Sequence, residues 1–144
     1  MNKYDNLKLE KQLCFPLYAV SKEIIRKYKP LLDKIDLTYT QYLVMLVLWE
    51  NKELNVKEIG DKLYLDSGTL TPVLKSLEAK NYISRNRSVN DERNLIISIT
   101  EDGYKLKDDA LEVPIEVSKC INLDEEDAVK LYSILYKILN SIEK

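Results

Sequence analysis

Histidine does not occur anywhere in the 144 residues. That removes imidazole acid–base catalysis and any zinc site built from cysteine and histidine together. The three glycines (Gly60, Gly68, Gly103) are too scattered to cradle a phosphate, and no Walker or dinucleotide fingerprint is present. No cofactor and no metal are expected. Four prolines and so little glycine leave room for long helices and few elaborate loops. The longest apolar run, Tyr42 to Trp49, has eight residues and cannot span a bilayer. Residues Met1 to Asn6 have none of the features of a signal peptide, so a cytoplasmic protein without a membrane partner is expected. Cysteine occurs twice, at Cys14 and Cys120, far apart in sequence. In a reducing compartment such a pair is no structural framework, and any pairing would be conditional.

What is present suffices for one domain: 45% of residues are hydrophobic and 32% are charged. The net charge of −2 counts against a generic nucleic-acid binder. Its distribution is uneven, however. From Pro72 to Asn90 four cations (Lys75, Lys80, Arg85, Arg87) face one anion, Glu78, for a local charge of +3. From Glu101 to Asp127 ten acids face three lysines, for −7. Solvated helix surface accounts for such runs equally well.

Along the chain, residues 7–32 read as a first helix, with Leu9, Leu13, Leu17, Val20, Ile24 and Tyr28 in one stripe. Pro16 either kinks that helix or sits in its first turn. In the second case Cys14 lies by a helix N-terminus, whose partial positive charge favours anions. Thr38-Tyr39-Thr40-Gln41 has the form of a capping box opening a second helix to about Glu50. Asn55-Val56-Lys57-Glu58 opens a short third one in the same way. Leu65 to Asn81 follows a tight turn. It opens on small polar residues, tolerates Pro72 in a first turn, buries Leu70, Leu74 and Leu77, and ends at Asn81, which readily adopts a left-handed conformation. A short helix, a turn and a longer helix with a polar face form a helix-turn-helix.

Tyr82 to Arg87 and Asn94 to Ile99 then read as two strands around a polar tip. A helix-turn-helix followed by a hairpin is a winged helix. Thr100 caps a further helix to about Glu112, Pro114 interrupts the pattern, and a last helix runs from about Asp124 to Ile142 with Ala128, Leu131, Leu135, Ile138 and Ile142 at near-heptad spacing. The expected fold is mainly α with a small β-hairpin: a winged helix-turn-helix over 36–103, and dimerisation helices over 1–35 and 104–144.

On this reading the DNA-facing set is Asp66, Ser67, Thr69, Thr71, Pro72, Lys75 and Ser76 at the helix start, with Arg85, Arg87, Asp91 and Arg93 on the wing. Hydroxyl-rich caps are common and carry little weight alone. A homodimer would read double-stranded DNA as a pseudo-palindromic operator. Cys14 on an apolar helix is ordinarily a small core residue. Ten tyrosines are unusual, though, and Tyr18, Tyr28 and Tyr39 offer phenol donors that can stabilise a reactive thiolate. Cys120 reads as a bystander thiol or as a partner that resolves a sulfenic acid.

These segments bring a family into view. Leu13-Cys14-Phe15 with Leu17-Tyr18-Ala19, Tyr28-Lys29-Pro30-Leu31-Leu32, Leu37-Thr38-Tyr39 with Gln41-Tyr42-Leu43, Leu63 to Pro72, and Asp91-Glu92-Arg93 with Thr100-Glu101-Asp102-Gly103 resemble the MarR family of winged-helix repressors, in its organic-hydroperoxide-sensing OhrR branch. The resemblance implies a dimeric repressor, not an enzyme, that binds DNA when reduced and releases it when organic hydroperoxide oxidises Cys14. It also implies that Tyr28 and Tyr39 approach that cysteine from the partner subunit, with Tyr18 nearby and Cys120 in the region of a resolving cysteine. Pro16 and Ser76 depart from the pattern; at Ser76 a basic residue is usual. Two other readings of the residues remain: a repressor released by a small aromatic ligand, and a thiol peroxidase.

Overall fold

The computed structural model describes residues 2–87 and 95–142. Two 3-10 turns, Asp5–Leu7 and Leu9–Lys11, lead into helix α1, Cys14–Asp33. The helix expected from residue 7 therefore begins later, and Pro16 falls in its first turn, where a missing N–H costs nothing. Pro30 lies inside α1, and the helix ends three residues beyond it.

Helix α2, Tyr39–Asn51, starts at the expected capping box: Thr38 accepts from the Gln41 N–H and Gln41 accepts from the Thr38 N–H. Tyr42, Val44, Met45, Leu48 and Trp49 are buried, making α2 the central helix. Helix α3, Val56–Leu63, has the second capping box, on Asn55 and Glu58. It ends at Tyr64 in a left-handed conformation (φ 59°). There the chain doubles back so closely that a Cβ on Gly60 would lie 2.5 Å from the Leu65 carbonyl oxygen. Gly60 thus permits the tight turn between the two helices.

Helix α4, Ser67–Ala79, is capped by Asp66, whose side chain accepts from the Thr69 N–H; Pro72, expected in the first turn, lies inside the helix because the helix starts only at Ser67. Leu70, Leu74 and Leu77 are buried, and Asn81 adopts the left-handed conformation (φ 65°) expected of it. Strands β2, Ile83–Arg87, and β3, Leu95–Ile99, pair antiparallel, with Arg85 opposite Ile97 and Arg87 opposite Leu95. A third strand, β1 (Glu53–Asn55), joins the far side of β3. With three residues and one apolar side chain, Leu54, it carries no periodicity to read. The wing tip, with Asp91 and Arg93, lies outside the described residues.

Helix α5, Glu101–Asp109, is capped by Thr100. It ends before Glu112, and Pro114 does not interrupt the helical pattern: it occupies the first turn of another helix, α6, Glu112–Cys120. Leu106, Ala110 and Val113 join Leu32 and Ile35 of the α1 end in the same core as α2 and α4. Helix α7, Glu125–Ser141, is capped by Asp124 and has no buried residue. Among the described residues, no helix is long and apolar enough to cross a membrane.

Candidate functional site

The polar row expected on α4 is present for the most part. Ser67, Thr69, Thr71, Pro72 and Lys75 are exposed, as is the cap Asp66. The Thr69 N–H donated to Asp66 holds that carboxyl below the usual carboxylate range, so the cap stays charged. Thr71 donates its hydroxyl to the Ser67 carbonyl (2.7 Å), one turn back, which leaves its oxygen as an acceptor.

Ser76 and Arg85 depart from that expectation. Ser76 is half-buried, and its Oγ accepts a 2.9 Å hydrogen bond from Gln41 Nε2. Its position on the helix turns it toward α2, away from the exposed row. Arg85 is half-buried as well; one guanidinium nitrogen reaches Glu78 Oε1 at 2.9 Å and fastens β2 to α4. Arg87 is exposed at the wing end of β2.

Lys80, which the sequence reading leaves out of the site, anchors the end of this unit. Its ammonium donates to the Asp36 carbonyl (2.6 Å) and to Gln41 Oε1 (3.0 Å). The signal for it was the cation itself; its partners are about 40 residues away in sequence, so no local pattern betrays them.

A second cluster lies at the joint of α1 and α2. The rings of Tyr28 and Tyr39 are 4.8 Å apart, and Tyr42 stands 5.8 Å from Tyr28. Burial pushes all three phenols above the ordinary tyrosine value, so they remain protonated hydrogen-bond donors. Tyr42 is absent from the expected set although it follows Tyr39 by three residues and shares its helical face. Beside Tyr39 lies a pocket of about 300 Å³ whose apolar lining is Ile25, Leu32 and Leu37.

The cysteines are not in this cluster. Cys14 is exposed at the first residue of α1. Tyr18 is exposed one turn on, with the Lys22 ammonium over its ring (5.6 Å). Tyr28 is fourteen residues after Cys14 on one continuous helix, about 21 Å at the α-helical rise. Cys120 closes α6, exposed, with its sulfur 3.6 Å from the Glu116 carbonyl oxygen. Glu116 and Val113 of α6 line a cleft with Leu31 of α1 and Ile35 just beyond its end. Leu31 is already about 25 Å of helix from Cys14, and the last turn of α6 recovers only about 6 Å of that. A disulfide requires Cα atoms within about 7 Å, so the two thiols of one chain do not meet in this conformation.

Exposed apolar side chains gather on two helices: Phe15, Leu17 and Val20 on α1, with Leu13 just before it, and Leu131, Ile134 and Ile138 on α7, with Ile142 just after it. The rings of Tyr132 and Tyr136 pack at a tilt on the same helix, with centroids 4.8 Å apart.

A sequence profile described as transcriptional regulator SarA/Rot matches residues 26–110. The chain is 50% identical over 143 residues to the organic hydroperoxide resistance transcriptional regulator of Bacillus subtilis (strain 168), covering 99% of this chain and 97% of that one. Among solved structures it is similar to reduced AbfR bound to DNA, with a TM-score of 0.78 and 37% identity over 96% of each chain. The disulfide form of AbfR, a protein of Staphylococcus epidermidis, superposes with a TM-score of 0.66 at 35% identity, covering 95% of this chain and 96% of that one.

Proposed function

The chain belongs to the MarR/SarA class of winged-helix transcriptional regulators, in its organic-hydroperoxide branch, and on that premise we propose that it is a homodimeric, cytoplasmic repressor that releases its operator when Cys14 is oxidised. The observation that carries this reading is the separation within one chain. The exposed thiol opens α1, the partly buried Tyr28 phenol lies fourteen residues on toward the other end, and exposed apolar side chains of α1 lie between them. Packing the α1 and α7 faces of two copies together covers those side chains and brings Cys14 toward the partner's Tyr28 and Tyr39, with Tyr18 flanking the thiol.

In the reduced dimer, α4 of each copy enters a major groove. Ser67, Thr69, Thr71 and Lys75 contact base edges and phosphates, Asp66 caps the helix start, Pro72 adds to the exposed face one turn on, and Arg87, with Asp91 and Arg93, serves the wing. Arg85 holds the wing to α4 through Glu78, and Ser76 holds α4 to α2 through Gln41. The Cys14 thiolate attacks the terminal oxygen of an organic hydroperoxide. The S–O bond forms as the O–O bond breaks, sulfur is oxidised to sulfenic acid, and the peroxide takes up a proton and leaves as an alcohol. The phenol donors favour the thiolate before attack and lose that anion afterwards. A thiol then condenses with the sulfenic acid, expelling water and leaving a disulfide. We assign that role to Cys120 of the partner subunit, since Cys14 and Cys120 of one chain are both free and do not meet.

The test is an operator shift with reduced and hydroperoxide-treated protein beside a non-reducing gel. Wild type is expected to release DNA on oxidation and rebind after dithiothreitol, whereas Cys14→Ser binds and ignores the oxidant. Release of Cys14→Ser by peroxide sinks the sensor assignment. Release of wild type by a phenolic compound, with indifference to oxidant, points instead to the pocket beside Tyr39. Repeated turnover of peroxide with a thiol reductant points to a peroxidase.

A further inference from the structure

Gln41 is the one buried polar or charged side chain among the described residues, at 5% exposure. Its role in the capping box needs a single contact, from Thr38 N–H to Oε1 at 3.0 Å. Yet the same oxygen also accepts from Lys80 Nζ at 3.0 Å, and Nε2 donates to Ser76 Oγ at 2.9 Å. Both extra partners belong to the far half of the DNA-facing helix or its cap, 35 and 39 residues away. Lys80 in turn holds the carbonyl of Asp36, in the link between α1 and α2. Gln41 stands in the first turn of α2 between Tyr39 and Tyr42, the two residues of that turn whose rings pack on Tyr28.

One turn of helix thus carries the phenol cluster on one side and, on the other, a set of directional bonds to α4. A helix turn moves as a unit, because its backbone hydrogen bonds resist internal distortion. Apolar contacts between α2 and α4 allow sliding; hydrogen bonds from a buried amide do not, since a broken one leaves polar atoms without partner or water.

We propose that Gln41 is a positioning residue that couples the tyrosine cluster to the DNA-facing helix, so that displacement of Tyr39 and Tyr42 is passed to α4 through Ser76 and Lys80. The inference rests on the reading that oxidation at Cys14 acts on the partner's phenol cluster. Ser76 has a defined place in it: a serine here receives the bond, and a long basic side chain turned to DNA would give it up.

The experiment uses full-length protein, a duplex that wild type selects from a random pool, and cumene hydroperoxide as oxidant. Ser76→Ala removes one bond and leaves the cap intact; Gln41→Leu removes all three contacts. For each, two quantities are read: the rate of Cys14 oxidation by thiol titration, and the ratio of operator affinities between reduced and oxidised protein. Ser76→Ala is expected to oxidise at the wild-type rate and to bind nearly as well when reduced, while the affinity ratio falls by about tenfold. Gln41→Leu is expected to lower it at least as far. A residue that only stabilises the fold would lower both affinities together and leave the ratio unchanged; that result in Ser76→Ala overturns the proposal even if Gln41→Leu does not fold. If wild type itself keeps its operator after oxidation, the underlying sensor reading fails first, and the coupling role falls with it.

Discussion

The stripe on α4 and the stripe on α7 look alike in sequence and end in opposite surroundings. Leu70, Leu74 and Leu77 recur at helical spacing and are buried against α2 and α3 within one chain. Leu131, Leu135, Ile138 and Ile142 recur just as regularly, yet Leu131, Ile138 and Ile142 are 41%, 40% and 61% exposed. Periodicity measures whether a helix has an apolar face; it says nothing of whose surface covers it. In the winged-helix unit the cover is intramolecular. On the terminal helices an apolar face of this extent calls for a second surface, and a second copy supplies one of matching character.

The largest effect should come from charging the uncovered face. Leu131→Glu with Ile138→Glu is expected to yield monomers by sedimentation and to weaken operator binding about 100-fold or more, since two linked half-site contacts become independent. An unaltered dimer would mean that α7 is not the interface. Truncation on the covered face acts on stability instead. Leu74→Ala is expected to cost about 2–5 kcal/mol in chemical denaturation, the range for leucine in a packed core. A smaller loss would show that the α2–α4 contact is looser than the burial indicates.

Next in size is the cap. Asp66→Ala should lower stability modestly, by removing the N-cap bond to the Thr69 N–H. Because the folded carboxyl titrates lower than in the unfolded chain, its contribution is present above the ordinary carboxylate value and lost as pH falls through the folded one. The variant and wild type should therefore converge in stability at acid pH, and parallel curves would exclude the cap as the cause.

The phenol cluster behaves in the reverse sense. Tyr28, Tyr39 and Tyr42 titrate above 10.0 when folded. Their contribution is complete below the unfolded value and is lost as pH rises through the folded ones. Difference absorbance should show these phenols ionising above the value of a free phenol; ionisation at that value would mean that the cluster is solvated. The smallest effect is expected on the polar face. Lys75→Ala should lower operator affinity and reduce the salt slope by about one, and an unchanged slope would remove Lys75 from the phosphate contacts.

Much of this was legible locally. The capping boxes at Thr38 and Asn55, the left-handed Asn81 and the buried leucines of α4 depend on neighbours within a turn, and the structure places each as the sequence indicates. Strand β1 was not legible, because three residues have no period. Helix α6 was misread because Pro114 breaks a helix interior but suits a first turn, and only the surrounding backbone distinguishes the two.

The sequence by itself determined the class of the protein: helix periods, caps and the turn before Ser67 specify a winged helix, and the motifs around Cys14 and Tyr64 to Pro72 point to its branch. Tertiary structure decided which polar residues face outward. Ser76 and Arg85 read as DNA contacts in sequence, yet they are turned to Gln41 and Glu78, one of them 35 residues distant and the other brought close by the α4–β2 corner. It also decided that Cys14 and Tyr28 are held apart in one chain. A rigid helix converts those fourteen residues into a fixed span of about 21 Å, set by the α-helical rise.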